Sequence, residues 1–337
     1  MASKKAVPAG RRQKQRDPGT VLVTGASGRL GRRLCGEFLD SGLEVRGLVG
    51  NAQQINTLPP GTVPFVGDIT EEAVLRRACS GADAVYHLAA IVSQRSRGPK
   101  EIIRVNAHGT AAVLKAAESE KVRSFIFPSS VDVYGIRRSE VLTEESSVHP
   151  TDMYGHSKAL AEHQITHFGG RLRYTIFRTA AIYGPGFESS FFKVFRMISE
   201  GRLYIVGDGN NSMSLVHIND VTKAMALAES SDRGSSIYNL SDGKRYTQNQ
   251  LVEMASGLLN VPVPRKHVGV LMARMFARAA GIDQDELRFI TSNRILDTSK
   301  IRKELGFRPR MQMQRSAKEL VDMFLMGYKG SKTGVMA

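Results

Sequence analysis

The segment Thr24-Gly25-Ala26-Ser27-Gly28-Arg29-Leu30-Gly31 follows the apolar run Val21-Leu22-Val23 and begins a stretch with helical periodicity. Gly25 allows a tight turn at the end of a strand, Gly28 lets the backbone approach a phosphate, and Gly31 lets the helix pack closely on the sheet. The N-terminus of such a helix presents free N–H groups and a positive dipole end to an anion. Because a strand precedes the glycines and a helix follows them, the segment predicts a dinucleotide-binding turn.

Short apolar runs alternate with amphipathic stretches through the first half of the chain. Strands are predicted at Val21–Thr24, Glu44–Val49, Val63–Val66, Ala84–Leu88, Phe125–Phe127 and Tyr174–Phe177, with helices at Leu30–Ser41, Glu71–Cys79, Glu101–Glu118 and Tyr154–Phe168. The alternation is typical of an α/β fold, here a doubly wound parallel sheet of the Rossmann type. In the second half, helices are predicted at Phe191–Glu200, Val221–Ser230 and Gln248–Leu259 and a strand at Ser236–Leu240, which indicates a smaller C-terminal α/β domain.

These patterns divide the chain into four segments. A disordered basic tail is expected over 1–19, because six basic residues there stand against Asp17 alone and little can be buried. A dinucleotide-binding domain is predicted over 20–180, a partly interleaved substrate-binding domain over 181–328, and a flexible tail over 329–337. Within the second domain, Val268–Ala280 is apolar but too short to span a bilayer. It is expected to be a helix packed at the substrate cleft or a subunit contact rather than an interfacial anchor.

The bulk composition excludes several classes of protein. The net charge of +15 is spread over many helices, without a nucleic-acid-binding motif, so a solvated basic surface is favoured over a specific nucleic-acid partner. The sequence has no apolar run near the roughly 20 residues that span a bilayer. The only cysteines, Cys35 and Cys79, fall in predicted helices and are expected to be free thiols, which suits the cytoplasm.

Three polar residues further along the chain predict acid–base chemistry. Tyr154 and Lys158 are four residues apart and therefore neighbours on one helical face. The ammonium group and an oxidised nicotinamide would both lower the pKa of the phenol from its usual value of about 10. Ser130 follows a strand and can hold the substrate oxygen, whereas no Gly-x-Ser-x-Gly elbow marks it as a nucleophile. With the glycine segment, this set predicts hydride transfer between a nicotinamide and a small secondary alcohol or ketone.

Other candidate positions flank the predicted strands. Asp68 can accept a hydrogen bond from an adenine amino group or can act as a helix N-cap, and both roles stay open. Leu88, Ala89 and Ala90 end a strand with side chains that leave room for the cofactor. The histidines His87, His149, His156 and His217 show no metal-ligand spacing, so no metal is expected.

Taken together, the motifs resemble the extended short-chain dehydrogenase/reductase family, in its NAD-dependent epimerase/dehydratase group, from about Thr20 to Phe324. The motifs are Thr24-Gly25-x-x-Gly28-x-x-Gly31, Val85-Tyr86-His87-Leu88-Ala89-Ala90, Val105-Asn106-x-x-Gly109-Thr110, Ser129-Ser130-x-x-Val133-Tyr134-Gly135, Tyr154-Gly155-x-Ser157-Lys158, Ile182-Tyr183-Gly184-Pro185-Gly186 and Asp297-x-Ser299-Lys300. The resemblance implies a Ser130, Tyr154 and Lys158 triad. It also implies that Asn106 supports the active-site helix and that the Ala180 backbone contacts the nicotinamide.

The family pattern also implies a set of cofactor-binding residues and a homodimer. The cofactor-binding set comprises Gly25, Ser27, Gly28, Arg29, Leu30, Gly31, Asp68, Ile69, Leu88, Ala89, Ala90, Asn106, Tyr154, Lys158 and Ala180. The homodimer would pair the helices Glu101–Glu118 and Tyr154–Phe168 across a twofold axis into a four-helix bundle.

The chain departs from the nucleotide-sugar members of the family in its second half. Met213 stands where those members carry an arginine for the pyrophosphate, and methionine cannot replace a bidentate arginine. The pattern Ser157-Lys158-Ala159-Leu160-Ala161-Glu162, with Gly207-Asp208-Gly209-Asn210-Asn211, looks closer to the hydroxysteroid dehydrogenase and dihydroflavonol reductase branches, so a net oxidoreductase is the expected activity. A nucleotide-sugar epimerase or dehydratase with retained NAD is the alternative, and Asp132 stands where dehydratases place a glutamate. A non-catalytic nicotinamide-sensing scaffold ranks lower.

The end of the second strand bears on the choice between NAD and NADP. NAD-binding sheets of this type place an acid there for the ribose 2′-hydroxyl, whereas this chain has Gly50-Asn51. One of Arg29, Arg32 and Arg33 can reach a 2′-phosphate, although Asn51 can also serve NAD. The sequence slightly favours NADP over NAD.

Overall fold

The structure is a computed structural model of the chain. It describes residues 19–92, 98–136, 141–168, 172–231, 233–276, 287 and 291–333. The predictions for residues 1–18, 277–280 and 334–337 lie outside the described residues.

A seven-stranded parallel sheet forms the centre of the molecule. Its strands are β1 (Thr20–Thr24), β2 (Glu44–Val49), β3 (Val63–Val66), β4 (Ala84–His87), β5 (Ser124–Ser130), β7 (Arg173–Thr179) and β12 (Ser236–Leu240), in the order β12-β7-β5-β4-β1-β2-β3. This confirms the doubly wound Rossmann-type sheet. The strand Ser236–Leu240, predicted among the C-terminal elements, pairs with β7 as an edge strand of this central sheet.

Eight short strands make four further pairs. They are β6 (Val141–Leu142) with β15 (Ile295–Leu296), β8 (Ala181–Tyr183) with β11 (Leu215–His217), β9 (Ile205–Val206) with β14 (His267–Val268), and β10 (Ser212–Met213) with β13 (Tyr246–Thr247). The β10–β13 pair is antiparallel and the others are parallel.

Helices cover both faces of the sheet and build the second half of the chain. They are α1 (Arg29–Asp40), α2 (Glu72–Cys79), α3 (Pro99–Ile103), α4 (Gly109–Ser119), α5 (Met153–Thr166), α6 (Ser189–Ser199), α7 (Ile218–Ser230), α8 (Gln248–Leu259), α9 (Val270–Phe276), α10 (Ser299–Leu305) and α11 (Met313–Thr333). Two 3-10 turns lie at Ala52–Thr57 and Val131–Tyr134, and a π-helical turn at Arg104–His108 joins α3 to α4. The helix predicted as continuous over Glu101–Glu118 is therefore interrupted by a π turn. At the C-terminus, α11 enters the segment 329–337 that was expected to be a tail.

Each face of the sheet has its own apolar core. On one face, Leu34 and Phe38 of α1 pack with Val221 and Met225 of α7. On the other, side chains of α2, α4 and α5 pack together, among them Leu75. The two cysteines, Cys35 and Cys79, are buried free thiols in these cores, as predicted, and burial raises the pKa of each to about 12. A third core joins α6, α8 and α11 in the second half of the chain.

The sheet order places the glycine turn at a switch point. After β1 the chain runs outward through β2 and β3, then returns to β4 on the other side of β1. Ligands of open α/β sheets bind at such a switch point, outside the carboxyl ends of the strands. The turn after Thr24 and the residues after His87 and Ser130 all lie at this edge.

The short helix α9 is not packed at a cleft within this chain, and the alternative that it forms a subunit contact stays a prediction. The side chains of Leu271, Met272 and Met275 are exposed, by 73%, 54% and 70% respectively, instead of being packed at a cleft. Ala273 of this helix packs against a small buried cluster that contains Val206. In the described part of the chain, no helix is both long and apolar enough to cross a bilayer.

Candidate active site

The glycine turn has the geometry that the sequence predicts. Gly25 has a φ of +65°, and a Cβ there would lie 2.8 Å from the backbone of Ala89. A Cβ on Gly31 would overlap the carbonyl oxygen of Gly25. The N–H of Gly28 donates to that same carbonyl at 2.9 Å, which closes the turn. Only glycine fits at positions 25 and 31 without moving the turn away from the end of β4.

The N-terminus of α1 opens toward the carboxyl edge of the sheet. Gly28 is its N-cap, no described side chain caps it, and its first turn contains no acidic residue. Its free N–H groups are thus available to an anion, and the half-buried Ser27 lies in the same turn. Leu30 packs against the core. Arg29 turns away toward the second half of the chain, where it donates to the Gly186 carbonyl at 3.1 Å and stacks 4.5 Å from the Phe187 ring centre.

A chain of hydrogen bonds links the glycine turn to α5. Thr24 Oγ1 lies 2.8 Å from His87 Nδ1, and His87 Nε2 lies 2.9 Å from Thr110 Oγ1. Because the Thr110 hydroxyl donates to the Asn106 carbonyl at 2.6 Å, it accepts from His87, and His87 in turn accepts from Thr24. Burial lowers the pKa of His87 to about 3, so the ring is neutral.

Asn106 completes this chain from within the π-helical turn. Its side-chain amide donates to Ser157 Oγ and to the Ile91 carbonyl, each at 2.9 Å, and its oxygen accepts from the Ile91 N–H at 2.7 Å. Ser157 then donates to the Tyr154 carbonyl at 2.7 Å. Asn106 therefore anchors α5, while His87, considered in the sequence only as a metal ligand, is a buried structural link. Among the described residues, no group of three His, Cys, Asp or Glu side chains is placed to hold a metal ion.

Ser130 and Tyr154 line the same small cavity, here called the polar cavity. Its volume is about 150 Å³, and it is lined by Val92, Ser130, Val131, Asp132, Asp152, Tyr154, Thr179, Ala180, Ala181 and Arg294. The Ser130 hydroxyl donates to Asp132 Oδ2 at 2.8 Å, and Ser130 caps the 3-10 turn that follows β5. Tyr154 lies in the first turn of α5, whose N-cap is Asp152. The sheet edge and the helix start thus bring two of the three predicted catalytic residues into one cavity.

Lys158 lies one turn behind Tyr154 and is buried, with 2% of its surface exposed. Its Nζ donates to the Pro128 carbonyl at 2.8 Å and lies 4.3 Å from the Phe127 ring centre and 5.9 Å from the Tyr154 ring centre. Burial lowers the pKa of this ammonium to about 7, although the charge of Glu162 opposes the shift. The surroundings of Lys158 therefore favour its uncharged form more than water does.

The surrounding protein raises the pKa of the Tyr154 phenol above its usual range, whereas the lowered pKa expected from the sequence included the charge of a bound oxidised nicotinamide. Burial is the main cause, and the negative charges of Asp132 and Asp152 add to it. The sequence argument counted the nearby ammonium but not these two carboxylates, which line the same cavity. The positive charge that would offset them has to come with an oxidised nicotinamide.

Asp68 and Ala180, both predicted to contact the cofactor, are hydrogen-bonded to other residues of the chain. Asp68 accepts two hydrogen bonds from Arg104, at 2.8 and 3.0 Å, which holds the pKa of its carboxyl below the usual range. The N-cap of α2 is Glu71, so Asp68 does not cap that helix but closes the turn before it by accepting from the Thr70 N–H at 2.9 Å. The Ala180 N–H donates to the Leu240 carbonyl at 2.9 Å. Of the two backbone polar groups of Ala180, the carbonyl is therefore the one proposed to contact a nicotinamide.

The remaining residues predicted to bind the cofactor lie nearby. Ile69 is buried against Gly109, and Leu88, Ala89 and Ala90 are half-buried after β4. The Ala89 N–H donates to Thr24 Oγ1 at 3.2 Å, so this strand end and the glycine turn are tied together.

Arg294 is a residue of the polar cavity that the sequence analysis missed. Its side chain is 4% exposed, and its guanidinium forms an ion pair with Asp132. The Arg294 backbone pairs with β10, through a bond from its N–H to the Ser212 carbonyl at 2.8 Å. A long-range contact of this kind has no local pattern, and the only signal is an arginine three residues before Asp297.

A second cavity adjoins the polar cavity and is here called the apolar cavity. Its volume is about 460 Å³, and it lies between β8, α6, α8 and α11. Met213, 2% exposed, forms part of its wall. Ala181 lines both cavities, so they share a wall at the start of β8.

Comparison with known proteins agrees with this geometry. The model of the NAD dependent epimerase/dehydratase family matches residues 21–241. The chain is 30% identical to an N-acetyl-alpha-D-glucosaminyl-diphospho-ditrans,octacis-undecaprenol 4-epimerase of Escherichia coli O157:H7, over 74% of this chain and 75% of that protein. It is also 30% identical to sterol demethylase protein B of Methylococcus capsulatus, over 86% of this chain and 94% of that protein.

A solved structure shows the same fold over nearly the whole chain. The structure of MoeE5 in complex with UDP-glucose and NAD matches with a TM-score of 0.75 at 26% identity, and the match covers 92% of this chain and 100% of that one. The family match spans the glycine turn, Ser130, Tyr154 and Lys158. The chain belongs to the NAD dependent epimerase/dehydratase family.

Proposed function

We propose that the chain is a nicotinamide-dependent enzyme that oxidises a secondary alcohol carbon of its substrate and then returns the hydride within the same active site, as an epimerase or dehydratase does. The observation that carries this proposal is the polar cavity, which Ser130 and Tyr154 both line at the carboxyl edge of the sheet. The 4-epimerase relative, and the NAD and UDP-glucose bound to MoeE5, support it.

The residues of the polar cavity are assigned these roles. Ser130 positions the substrate hydroxyl, and Tyr154 takes the proton from that hydroxyl as the carbon is oxidised. Lys158 supports the tyrosinate that results, because its ammonium lies on the same helical face one turn away. When bound, the nicotinamide supplies the hydride acceptor. The N-terminus of α1 and the glycine turn hold the pyrophosphate of the dinucleotide.

Net oxidation or reduction of a freely exchanging cofactor, the activity first expected from the sequence, is the second candidate. The observation that favours it is Met213, which is buried in the wall of the apolar cavity where nucleotide-sugar members carry an arginine. The proposed resemblance to the hydroxysteroid dehydrogenase and dihydroflavonol reductase branches, which rests on Ser157–Glu162 and Gly207–Asn211, favours the same candidate.

We propose NAD as the cofactor. Of the three arginines that led the sequence analysis to favour NADP, Arg29 contacts Gly186 and Phe187, and Arg33 is paired with Glu37 at 2.9 Å. Asn51 caps the following 3-10 turn through the Gln54 N–H. The NAD bound to MoeE5 supports this choice.

The homodimer through α4 and α5 also stays a proposal, with Leu160 of α5 exposed by 47% as its support. A monomeric mass in solution at micromolar concentration would refute it.

An isotope experiment separates the two candidate reactions. The full-length protein is incubated with catalytic NAD and a panel of substrates deuterated at the carbinol carbon, comprising UDP-glucose, a polyprenyl-diphospho-N-acetylglucosamine and aliphatic secondary alcohols. We expect the deuterium to remain in the product, with no lasting increase in absorbance at the wavelength of the reduced cofactor. Deuterium found in released NADH would identify the net oxidoreductase instead. If the protein binds NAD but turns over none of the substrates, both candidates are contradicted for these substrate classes.

A further inference from the structure

The apolar cavity is larger than an imperfection of packing. Protein interiors are packed like organic crystals, with few voids larger than a water molecule. A cavity of about 460 Å³ lies within the range of roughly 300 to 1,000 Å³ that whole organic ligands occupy. It adjoins the third apolar core and opens to solvent beside Tyr204, which is 48% exposed. Its size is therefore that of a ligand-binding cleft.

The wall of this cavity is hydrocarbon on nearly every side. Side chains of α6, α8 and α11 contribute most of it, including Phe195, Leu251 and Val321. Among the described residues that line it, the charged ones are Arg29 and Lys193, both exposed. Arg29 already contacts Gly186 and Phe187. No described lining residue is acidic.

The hydroxyls of Ser189, Ser190 and Tyr204 also line this cavity, and its one buried polar lining side chain among the described residues, Gln248, is hydrogen-bonded to the backbone. The Gln248 amide oxygen accepts from the Val206 N–H at 2.9 Å, and its nitrogen donates to the Val206 carbonyl at 3.2 Å. A nucleotide base needs donors and acceptors that match its edge, and burying it without them is unfavourable. Met213 supplies neither a charge nor a hydrogen-bond donor for a pyrophosphate.

We propose that the apolar cavity holds a hydrocarbon part of the substrate, of the isoprenoid, steroid or long alkyl kind, and that the reacting alcohol extends from it past Ala181 to Ser130 and Tyr154. Ala181 lines both cavities, which makes them consecutive parts of one substrate site. At the other end, Tyr204 is 48% exposed and lines the apolar cavity, so a longer chain can continue toward solvent there. This inference rests on the proposed function, since it takes the polar cavity as the place of reaction.

A homologous series of methyl ketones from 2-hexanone to 2-dodecanone tests the proposal. Their dissociation constants are measured by calorimetry with the full-length protein in the presence of NADH. Each buried methylene is expected to tighten binding about fourfold until the cavity is filled. Affinity that does not change with chain length would overturn the proposal, as would micromolar binding of UDP-glucose that competes with 2-dodecanone.

Two variants test whether the ketone binds in the apolar cavity. Ala255→Leu on α8 and Ala317→Leu on α11 each fill part of the space, since both alanines line it and are buried. We expect each variant to weaken the binding of 2-dodecanone by at least tenfold and to leave NADH binding unchanged. The melting temperature should rise, because filling a void stabilises a core. Unchanged ketone affinity in both folded variants would overturn the assignment.

The outcome is distinguishable from that of the proposed reaction. Tyr154→Phe is expected to abolish turnover of the substrate panel while keeping the chain-length dependence of ketone binding. If long ketones bind and the leucine variants weaken them, but no substrate is turned over, the cavity assignment stands and the proposed reaction fails. If UDP-glucose is turned over and ketone binding shows no chain-length dependence, the reaction stands and the cavity assignment fails.

Discussion

The guanidinium of Arg294 forms an ion pair with the carboxylate of Asp132, which also accepts a hydrogen bond from the Ser130 hydroxyl at 2.8 Å. A residue from the C-terminal half of the chain thereby reaches the end of β5. Because Arg294 is buried and Asp132 is 23% exposed, the pair lies at the border of the polar cavity and solvent. The position of the Ser130 hydroxyl thus depends on a contact between two distant parts of the chain.

Removal of the Arg294 charge should lower stability. Arg294→Met leaves the Asp132 carboxylate without this cation, and we expect the free energy of unfolding to fall by about 2 kcal/mol, which is typical for a hydrogen bond to a charged group. Asp132→Asn provides the second arm of a double-mutant cycle, measured by urea denaturation. A coupling energy between about 0.5 and 3 kcal/mol is expected. Strictly additive effects would show that the ion pair does not contribute.

Substitution of Gly31 should damage both the fold and the cofactor site. A Cβ at this position overlaps the Gly25 carbonyl, so we expect Gly31→Ala to cost about 1–3 kcal/mol of stability and to weaken NADH binding. Gly36→Ala is the matched control in the same helix, since a Cβ there would meet no described atom within 4 Å. The control should gain about 0.4–1 kcal/mol. Equal effects of the two substitutions would refute the close approach.

The buried ammonium of Lys158 predicts a pH dependence of stability. Its pKa falls from 10.5 to about 7 on folding, so between these values the unfolded chain binds more protons than the native chain. Stability attributable to this residue therefore rises with pH from about 7 to 10, by up to about 1.4 kcal/mol per pH unit. Urea denaturation of the wild type and of Lys158→Met, at intervals over this range, measures it. The difference in unfolding free energy between wild type and variant should increase with pH, and parallel curves would contradict the lowered pKa.

Cofactor preference can be measured without knowledge of the substrate. We expect NADH to bind more tightly than NADPH, because Arg29 and Arg33 already have partners and only the exposed Arg32 remains of the three arginines proposed for a 2′-phosphate. Titration of both reduced cofactors gives the two dissociation constants. Tighter NADPH binding that is lost in Arg32→Gln would restore the original expectation from the sequence.

Local patterns in the sequence predicted the sheet and the glycine turn well. The strand–turn–helix around Gly25 depends on residues close in sequence, as does the spacing of Tyr154 and Lys158 on one helix. Long-range contacts had no such signal. The pairing of Ser236–Leu240 with β7, the ion pair of Arg294 and the exposed side chains of α9 all depend on elements distant in sequence. The charge of Asp132, which helps to raise the pKa of Tyr154, likewise comes close to the phenol only in the folded chain.

The role of Tyr154 is the central claim, and one substitution tests it most directly. Turnover of whichever substrate the panel identifies is compared between wild type and Tyr154→Phe, with NADH binding measured on the same samples. We predict that the variant loses at least ~100-fold in kcat, because it lacks the hydroxyl that transfers the proton, while its affinity for NADH stays the same. Full activity of a Tyr154→Phe variant that binds NADH normally would contradict the account.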